Sequence, residues 1–370
     1  MKNKCLHVIC LVLISLTSFA QIPLTVATSG GNKKAAIKER MGLTDVTINY
    51  DRPAVKGREG KIWGQLVPVG FTDPGFGSSK SSPWRAGANE NTTMLFSTDV
   101  TINGQPLKAG KYGFFIAYDP AECTLIFSNN STSWGHFFYN ANEDALRIKV
   151  KPVALDKSVE WLKYEFIDQT DNGGTVALEW EKLMIPFKIE TDFIKEQIAS
   201  FRRELRTEKG FLWESWDQAA AWSLQNNTNL DEALLWTDSS TSRSFGGDRS
   251  FIAWSTRAQL LEKIGRTKEA EELMKDKLSL ASVFEIHQYG RRLVQLKKEK
   301  EALEVFKMNY EKYPKEFTPL VGLARGYSAV GDYKNALKFA NKALLMAPDE
   351  INKTSLKTML EKLKDNKDVN

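Results

Sequence analysis

The chain contains little cysteine and histidine for its length. It has 3 cysteines and 3 histidines in 370 residues, and Cys5 and Cys10 both lie in the first ten residues. If that segment is removed, Cys123 alone remains and cannot form an internal disulfide, so the fold must rely on packing. Cys123 lies in a strand-like apolar segment, where we expect a small buried side chain and not a nucleophile. His136 and His287 have no cysteine or carboxylate at ligand spacing, so no metal site is predicted.

The sequence lacks long apolar runs beyond its first residues. Lys2 and Lys4 form a short basic start, residues 5–16 are mostly apolar, and small residues precede and include Ala20. This pattern predicts a Sec-type signal peptide over residues 1–20, cleaved after Ala20. The run is too short for a membrane-spanning helix. We therefore expect a periplasmic or secreted protein with no transmembrane segment in the mature chain.

Neither charge sign dominates. The chain has 51 basic and 46 acidic residues, and loss of Lys2 and Lys4 would leave 49 basic ones against the same 46. No segment forms a basic stripe, so nucleic acid is not an expected partner. The sequence also lacks a nucleophile elbow, a phosphate-binding glycine loop and a cysteine with a histidine partner, and no cofactor is expected.

Residues 43–190 show mostly a period of two. Short alternating segments are separated by turn signals such as Asn103-Gly104, whose residue types favour the positive φ values of a tight hairpin. Pro186 in the last segment predicts an edge strand, because proline cannot donate to a ladder. With no helical pattern between the strands, this part predicts an antiparallel β-sandwich. The segments are 45–50, 92–96, 100–103, 112–118, 123–127, 145–150, 161–166, 176–180 and 184–189.

Two loops rich in glycine, proline and charge, residues 52–58 and 70–85, interrupt this pattern. Together with neighbouring motifs they resemble the family named domain of unknown function 2911, over about residues 43–190. That resemblance implies an exported bacterial protein and a shared fold, and it implies no reaction. The motifs are DRP at 51–53, KGR at 56–58, LVP at 66–68, WRAGANE at 84–90, ING at 102–104, AGKY at 109–112, WG at 134–135, DALR at 144–147 and EW at 179–180.

The same motifs supply the candidate ligand-binding residues. An aromatic ring beside arginine, amide and carboxylate groups suits polar ligands such as sugars or carboxylates. A structural alternative pairs Arg85 with Glu90 and uses Trp84 to cover the core. If the protein were an enzyme, Glu90 would act as acid or base with Asp51 as the second carboxylate. The candidate ligand-binding residues are Arg58, Trp84, Arg85, Asn89, Glu90 and His136.

The C-terminal half changes to helical periodicity. Residues 191–210 predict a linking helix. Pro314 and Pro348 lie 34 residues apart at the ends of similar patterns, a period typical of tetratricopeptide-like helix pairs. Earlier intervals between matching alanines are 32 and 37 residues. We predict an α-solenoid of such repeats over residues 211–350, closed by a capping helix and tail at 351–370.

Two functions remain open from the sequence. The leading hypothesis is a non-enzymatic binding or scaffold protein of the envelope whose repeats bind a protein or peptide. The alternative is a hydrolase or carbohydrate-binding protein that uses the cluster of Arg58, Arg85 and Glu90. Tryptophans of the helical half either line a binding groove or pack between helices; they are Trp213, Trp216, Trp222, Trp236 and Trp254.

Overall fold

The computed structural model describes residues 31–370. The predicted signal peptide and residues 21–30 lie outside this range. The described chain forms two compact units, one that ends at Thr191 and one that begins at Asp192. The first is built from β-strands and the second from helices.

The N-terminal unit consists of two antiparallel sheets. One sheet has the strand order β1-β2-β3-β6-β7-β8, and the other has the order β5-β4-β10-β9. Inward side chains of both sheets bury one shared hydrophobic core, so the predicted β-sandwich is confirmed. The strands are β1 (Lys33–Met41), β2 (Thr44–Arg52), β3 (Thr92–Phe96), β4 (Val100–Ile102), β5 (Gln105–Leu107), β6 (Gly110–Ala117), β7 (Cys123–Ser128), β8 (Asp144–Val150), β9 (Val153–Thr170) and β10 (Gly173–Thr191).

Aromatic side chains join the two sheets. Phe114 and Phe127 of the six-stranded sheet lie with their ring centroids 5.6 and 6.0 Å from that of Phe187 in the four-stranded sheet. All three rings are buried, and full burial of one such side chain is worth about 1.5–3 kcal/mol. Cys123 is also fully buried, as its apolar neighbours predicted. Asn103 and Gly104 both have positive φ in the turn between β4 and β5.

Two strand predictions were wrong or incomplete. The strand β1 was not predicted, because as an edge strand rich in lysine and arginine it has no apolar alternation to reveal it. Pro186 does not mark an edge strand, since β10 lies between β4 and β9. Instead, β10 pairs with β9 as far as Met184 and with β4 from Ile189. Pro186 falls between the two ladders, where its missing N–H removes no ladder bond.

The long connection between β2 and β3 is a structured part of the sandwich. Trp84 exchanges two backbone hydrogen bonds with Ile116, at 2.9 and 2.8 Å, and the Gly70 amide donates to the Tyr118 carbonyl at 2.7 Å. These bonds attach the loop to β6 beyond the point where β3 ends. The loop therefore holds residues 84–90 at a fixed place on the sheet.

The C-terminal unit is an array of antiparallel helix pairs. After α1 come four pairs, α2–α3, α4–α5, α6–α7 and α8–α9, followed by α10. No helix within residues 31–370 is long and apolar enough to cross a bilayer. The helices are α1 (Phe193–Glu204), α2 (Trp213–Gln225), α3 (Leu230–Ser240), α4 (Phe251–Lys263), α5 (Thr267–Lys277), α6 (Val283–Gln295), α7 (Glu299–Lys312), α8 (Phe317–Ala329), α9 (Tyr333–Leu345) and α10 (Glu350–Lys364).

Small residues let neighbouring helices approach closely. The ring of Phe306 on α7 is fully buried and lies against Gly290 of α6 and against Gly322 and Gly326 of α8. Ala302 of α7 is also fully buried. At this junction Phe306 fills the space that the three glycines leave, which is the packing expected for tetratricopeptide-like units.

Candidate functional site

The predicted site residues line two separate cavities of the N-terminal unit. The first, called the arginine cavity, has a volume of about 300 Å³ and includes Arg58, Trp84, Arg85, Asn89 and His136 in its wall. The second, called the sheet groove, has about 750 Å³ and includes Asp51 and Glu90. The two candidate carboxylates therefore share one cavity, and the two candidate arginines share another.

Both arginines of the arginine cavity are fixed by neutral acceptors. Arg58 donates from Nε to the Val55 carbonyl at 2.9 Å and from Nη2 to the Ala54 carbonyl at 2.6 Å. Arg85 donates from Nη1 to the Asn89 carbonyl at 2.6 Å and from Nε to His136 Nδ1 at 3.0 Å. The predicted pairing of Arg85 with Glu90 is not formed. Both arginine side chains are partly buried.

His136 is held neutral next to Arg85. Burial and the nearby guanidinium charge lower the pKa of His136 to about 4. Since its Nδ1 accepts a hydrogen bond from Arg85, the neutral ring carries its proton on Nε2. The Arg85 guanidinium also lies 4.8 Å from the ring centre of Phe137. Burial lowers the pKa of Arg85 from its ordinary value, because a buried cation loses hydration.

Trp84 is mainly a core residue. It is 8% exposed, and its indole N–H donates to the Gly87 carbonyl at 3.0 Å. Its ring stacks on Trp180 at 6.1 Å and contacts Trp63 edge to face at 5.6 Å. Packing explains most of its surface, as the structural alternative predicted, although Trp84 also lines the arginine cavity.

The sheet groove lies on the outer face of the six-stranded sheet. In β2 the residues Val46, Ile48 and Tyr50 point into the core, so Asn49 and Asp51 take the opposite face. The loop residue Asn89 covers Asp51, and its side-chain amide donates to Asp51 Oδ1 at 3.3 Å. Burial raises the pKa of Asp51, and the nearby charge of Glu90 raises it further, against opposing effects of Asn89 and Lys34.

The remaining wall of the groove combines charged and hydroxyl groups. Glu90 forms an exposed ion pair with Lys34 of β1, a contact that contributes little stability in water. Lys111 of β6, Thr93 of β3 and the hydroxyl-rich residues 131–134 complete the lining. Trp134 at the end of this segment is 52% exposed.

Asn91 is a groove residue that sequence reasoning missed. It is 8% exposed, and within residues 31–370 neither its amide nitrogen nor its amide oxygen has a hydrogen-bond partner. A buried amide without partners costs about 1–3 kcal/mol. The one feature of the sequence that points to Asn91 as a site residue is its position directly after the motif that ends at Glu90. Asparagine in a loop is too common for that signal to be specific.

The helical unit carries a third candidate site, called the α4–α6 groove. It has a volume of about 370 Å³ and lies between the first helices of two successive pairs. Ile252 and Phe284 line it from the two sides and are 53% and 60% exposed. Gln259 of α4 and Gln288 of α6 also line this groove. Apolar side chains of this size exposed beside polar ones are typical of a docking surface.

Four of the five tryptophans of the helical unit, Trp216, Trp222, Trp236 and Trp254, make packing contacts. Trp216 and Trp254 each donate from the indole nitrogen to a backbone carbonyl at 2.9 Å. Trp222 contacts Phe201 of α1 edge to face at 5.5 Å, and Trp236 is buried. None of these four lines the α4–α6 groove, and their contacts favour the alternative of packing between helices.

Comparison with known protein families gives a match over the N-terminal unit. Residues 32–189 match the model of the family described as "Protein of unknown function (DUF2911)", which confirms the resemblance for the N-terminal unit. Comparison with the curated proteins gave no match.

Several solved structures are similar to the chain. A Podosopora anserina protein with nearly identical TPR-like repeats has 14% identity and a TM-score of 0.32, covering 41% of this chain and 85% of that chain. A tetratricopeptide repeat protein of Parabacteroides merdae has 18% identity and a TM-score of 0.32, with coverage of 46% and 68%. YrrB, described as a TPR protein with an unusual peptide-binding site, has 16% identity and a TM-score of 0.30, with coverage of 46% and 86%.

Proposed function

We propose that the protein is an exported, non-enzymatic scaffold of the bacterial envelope that binds a protein partner in the α4–α6 groove. The observation that carries this proposal is the pair of exposed apolar side chains, Ile252 and Phe284, on facing helices of a repeat array. Helical repeat arrays present such faces as extended binding surfaces. The export part rests on the signal-peptide pattern of residues 1–20.

The positive charge of Arg291 beside the groove indicates which side chains a partner should present to it. Helical spacing places Phe284, Gln288 and Arg291 on one face of α6. Arg291 is exposed and, among residues 31–370, forms no ion pair. Arg292, by contrast, is held by Glu262 at 2.6 Å and by Gln259. A partner segment with an apolar side chain for the groove and an acidic one for Arg291 fits this face.

Capture from an envelope extract tests the scaffold proposal. Wild-type protein is compared with an Ile252→Ala/Phe284→Ala variant and with a matched control, Leu235→Ala/Leu345→Ala, whose side chains are 65% and 88% exposed on α3 and α9. We expect one protein that wild type and control retain and that the groove variant loses by about tenfold or more. Equal capture by all three forms would contradict the role of the groove.

The export proposal has its own test. Mass spectrometry of the cell-envelope fraction should find a processed chain that begins at Gln21. A protein found only in the cytoplasm with residues 1–20 still attached would contradict export, whatever the capture experiment shows.

A second candidate function, binding of a saccharide in the sheet groove, is favoured by Asn91. Its buried, unpartnered amide offers one donor pair and one acceptor toward a ligand. Exposed Trp134 supplies a ring face for stacking on a sugar, and the neighbouring hydroxyl and carboxylate groups suit a hydroxyl-rich ligand. Asp51 and Glu90 in the same groove are the carboxylates that hydrolysis would need.

Substitutions test whether saccharide binding needs the sheet groove or whether any exposed aromatic side chain would support it. Trp134→Ala should abolish binding of a neutral oligosaccharide, whereas Phe211→Ala, which removes an aromatic side chain that is 76% exposed in the helical unit, should not. If Asp51→Asn and Glu90→Gln keep binding while a detected turnover disappears, the groove is hydrolytic. If no oligosaccharide of a broad array binds the wild type, this candidate function is rejected.

A further inference from the structure

Among residues 31–370, the lining of the arginine cavity includes two cationic side chains and no acidic one. Its lining has the guanidinium groups of Arg58 and Arg85, the imidazole of His136, amide groups, and an apolar wall that includes Trp84 and Trp180. The ion pairs of the described chain include neither arginine of this cavity; Glu90 is paired with Lys34 on the sheet groove. Partly buried positive charge without a counter-charge is unfavourable, because desolvation is not offset by attraction.

Each guanidinium keeps one nitrogen unused. The bonds described above occupy Nε and Nη2 of Arg58 and Nε and Nη1 of Arg85. Within residues 31–370 no hydrogen bond involves Arg58 Nη1 or Arg85 Nη2. The anchoring acceptors fix the planes of both groups, so little side-chain entropy remains to be lost on binding.

Two neutral donors lie in the same wall. The Nε2–H of His136 follows from the hydrogen bond at its Nδ1. The indole nitrogen of Trp180 is buried and has no partner in the described part of the chain. A tryptophan N–H is a donor only, so an acceptor group must approach it to satisfy it. The buried indole N–H of Trp180 therefore requires an acceptor, and the unused nitrogens of Arg58, Arg85 and His136 are further donors that the same acceptor group can bind.

Gly135 shows that the position of Arg85 depends on close backbone approach. Gly135 has a φ of +58°, and a Cβ at this residue would lie 2.4 Å from Nη1 and 2.6 Å from Cζ of Arg85. Any side chain there would displace the guanidinium group. Glycine at 135 therefore allows Arg85 to take its place between His136 and the loop carbonyl of Asn89.

We infer that the arginine cavity binds the oxyanion group, carboxylate or phosphate, of a small ligand. The planar guanidinium groups present N–H donors that match such oxygens, and His136 and Trp180 add neutral donors. A volume of about 300 Å³ is at the lower end of ligand cavities, which limits the occupant to a small molecule. This site is separate from both the α4–α6 groove and the sheet groove and does not depend on the function of either.

The test titrates the full mature chain with succinate and with inorganic phosphate at constant ionic strength, with sodium chloride as the reference. Calorimetry measures binding, and tryptophan fluorescence reports the cavity through Trp84 and Trp180. Arg58→Gln and Arg85→Gln each remove one cation. Arg52→Gln is the matched control, because Arg52 is a half-buried arginine bonded to a carbonyl, that of Leu162 at 2.8 Å, outside the cavity.

We expect saturable one-to-one binding of at least one oxyanion, weakened about tenfold or more by each cavity variant and unchanged by Arg52→Gln. Stronger binding of succinate identifies a carboxylate ligand, and stronger binding of phosphate identifies a phosphate ligand. If Arg85→Gln unfolds, Gly135→Ala tests the same contact and should weaken binding while keeping every charge. Absence of saturable binding to both probes, or full binding by Arg58→Gln, overturns the inference.

Discussion

Substitution of Gly290 by alanine should destabilise the helical unit, although alanine is the better helix former. A Cβ at this position would lie 2.5 Å from Cε1 and 2.7 Å from Cζ of Phe306, about 1 Å closer than ordinary carbon contacts. The ring has little room to retreat, because Gly322 and Gly326 hold it from α8. Such overpacking costs about 1–3 kcal/mol, whereas alanine gains about 1 kcal/mol of helix propensity.

The net expectation is a loss of up to about 2 kcal/mol in the free energy of unfolding. Urea titration of the full chain, followed by circular dichroism at a helical wavelength, measures the midpoint of the helical transition. A double-mutant cycle with Phe306→Leu isolates the contact, since the smaller side chain should accept the new methyl group and recover about 1 kcal/mol. A higher midpoint for Gly290→Ala, or strict additivity in the cycle, would refute the packing argument.

Three further predictions concern buried groups. Burial and the charges of two arginines lower the pKa of His287 to about 4. Below pH 6.5 the unfolded chain therefore binds more protons than the folded one, and stability is lost as the pH falls from 6.5 to about 4. His287→Leu should remove about 2–3 kcal/mol of that pH dependence. Burial raises the pKa of Asp217, against a hydrogen bond from Thr256, so its contribution to stability declines as pH rises, and Asp217→Asn should stabilise the chain by about 1 kcal/mol at pH 7. Burial likewise raises the pKa of the Cys123 thiol, so alkylation at pH 8 should be slow in the native protein and complete in urea.

Each of these predictions has a clear opposite result. An unchanged pH profile of the urea midpoint in His287→Leu would show that this histidine does not titrate as described. A lower midpoint for Asp217→Asn at pH 7 would show that the carboxylate is stabilised by partners that Thr256 does not account for. Rapid native alkylation of Cys123, measured by mass spectrometry, would show that β7 opens readily.

The repeat array could be predicted because its signals are local and periodic. Ala302 and Pro314 stand at fixed offsets within one helix pair, and each acts on its own helix or on the next one. The strand β1 could not be predicted in this way, since its pairing with β2 comes from backbone bonds, and its exposed lysines follow no apolar pattern. A charged edge strand looks like a surface loop in sequence.

The candidate site was predicted in composition but not in arrangement. Arg85 and Glu90 are five positions apart, and only the backbone between them decides which cavity each one lines. Ala86 and Asn89 both have positive φ, 52° and 51°, which is uncommon for residues with a side chain. The resulting turn leads Arg85 into the arginine cavity and Glu90 into the sheet groove. Sequence spacing carries no signal for such a change of direction.

The proposed scaffold function requires that the α4–α6 groove contacts a protein partner. Its most direct test places a photo-crosslinking amino acid at Gln288, an exposed residue in the groove. The full chain that carries this probe is expressed in the cells that naturally produce the protein. The same probe at Leu345 on α9 is the control. We expect one defined crosslinked product from position 288 that is absent from position 345 and is lost when Ile252→Ala is added. No product from position 288, or the same products from both positions, would contradict the claim.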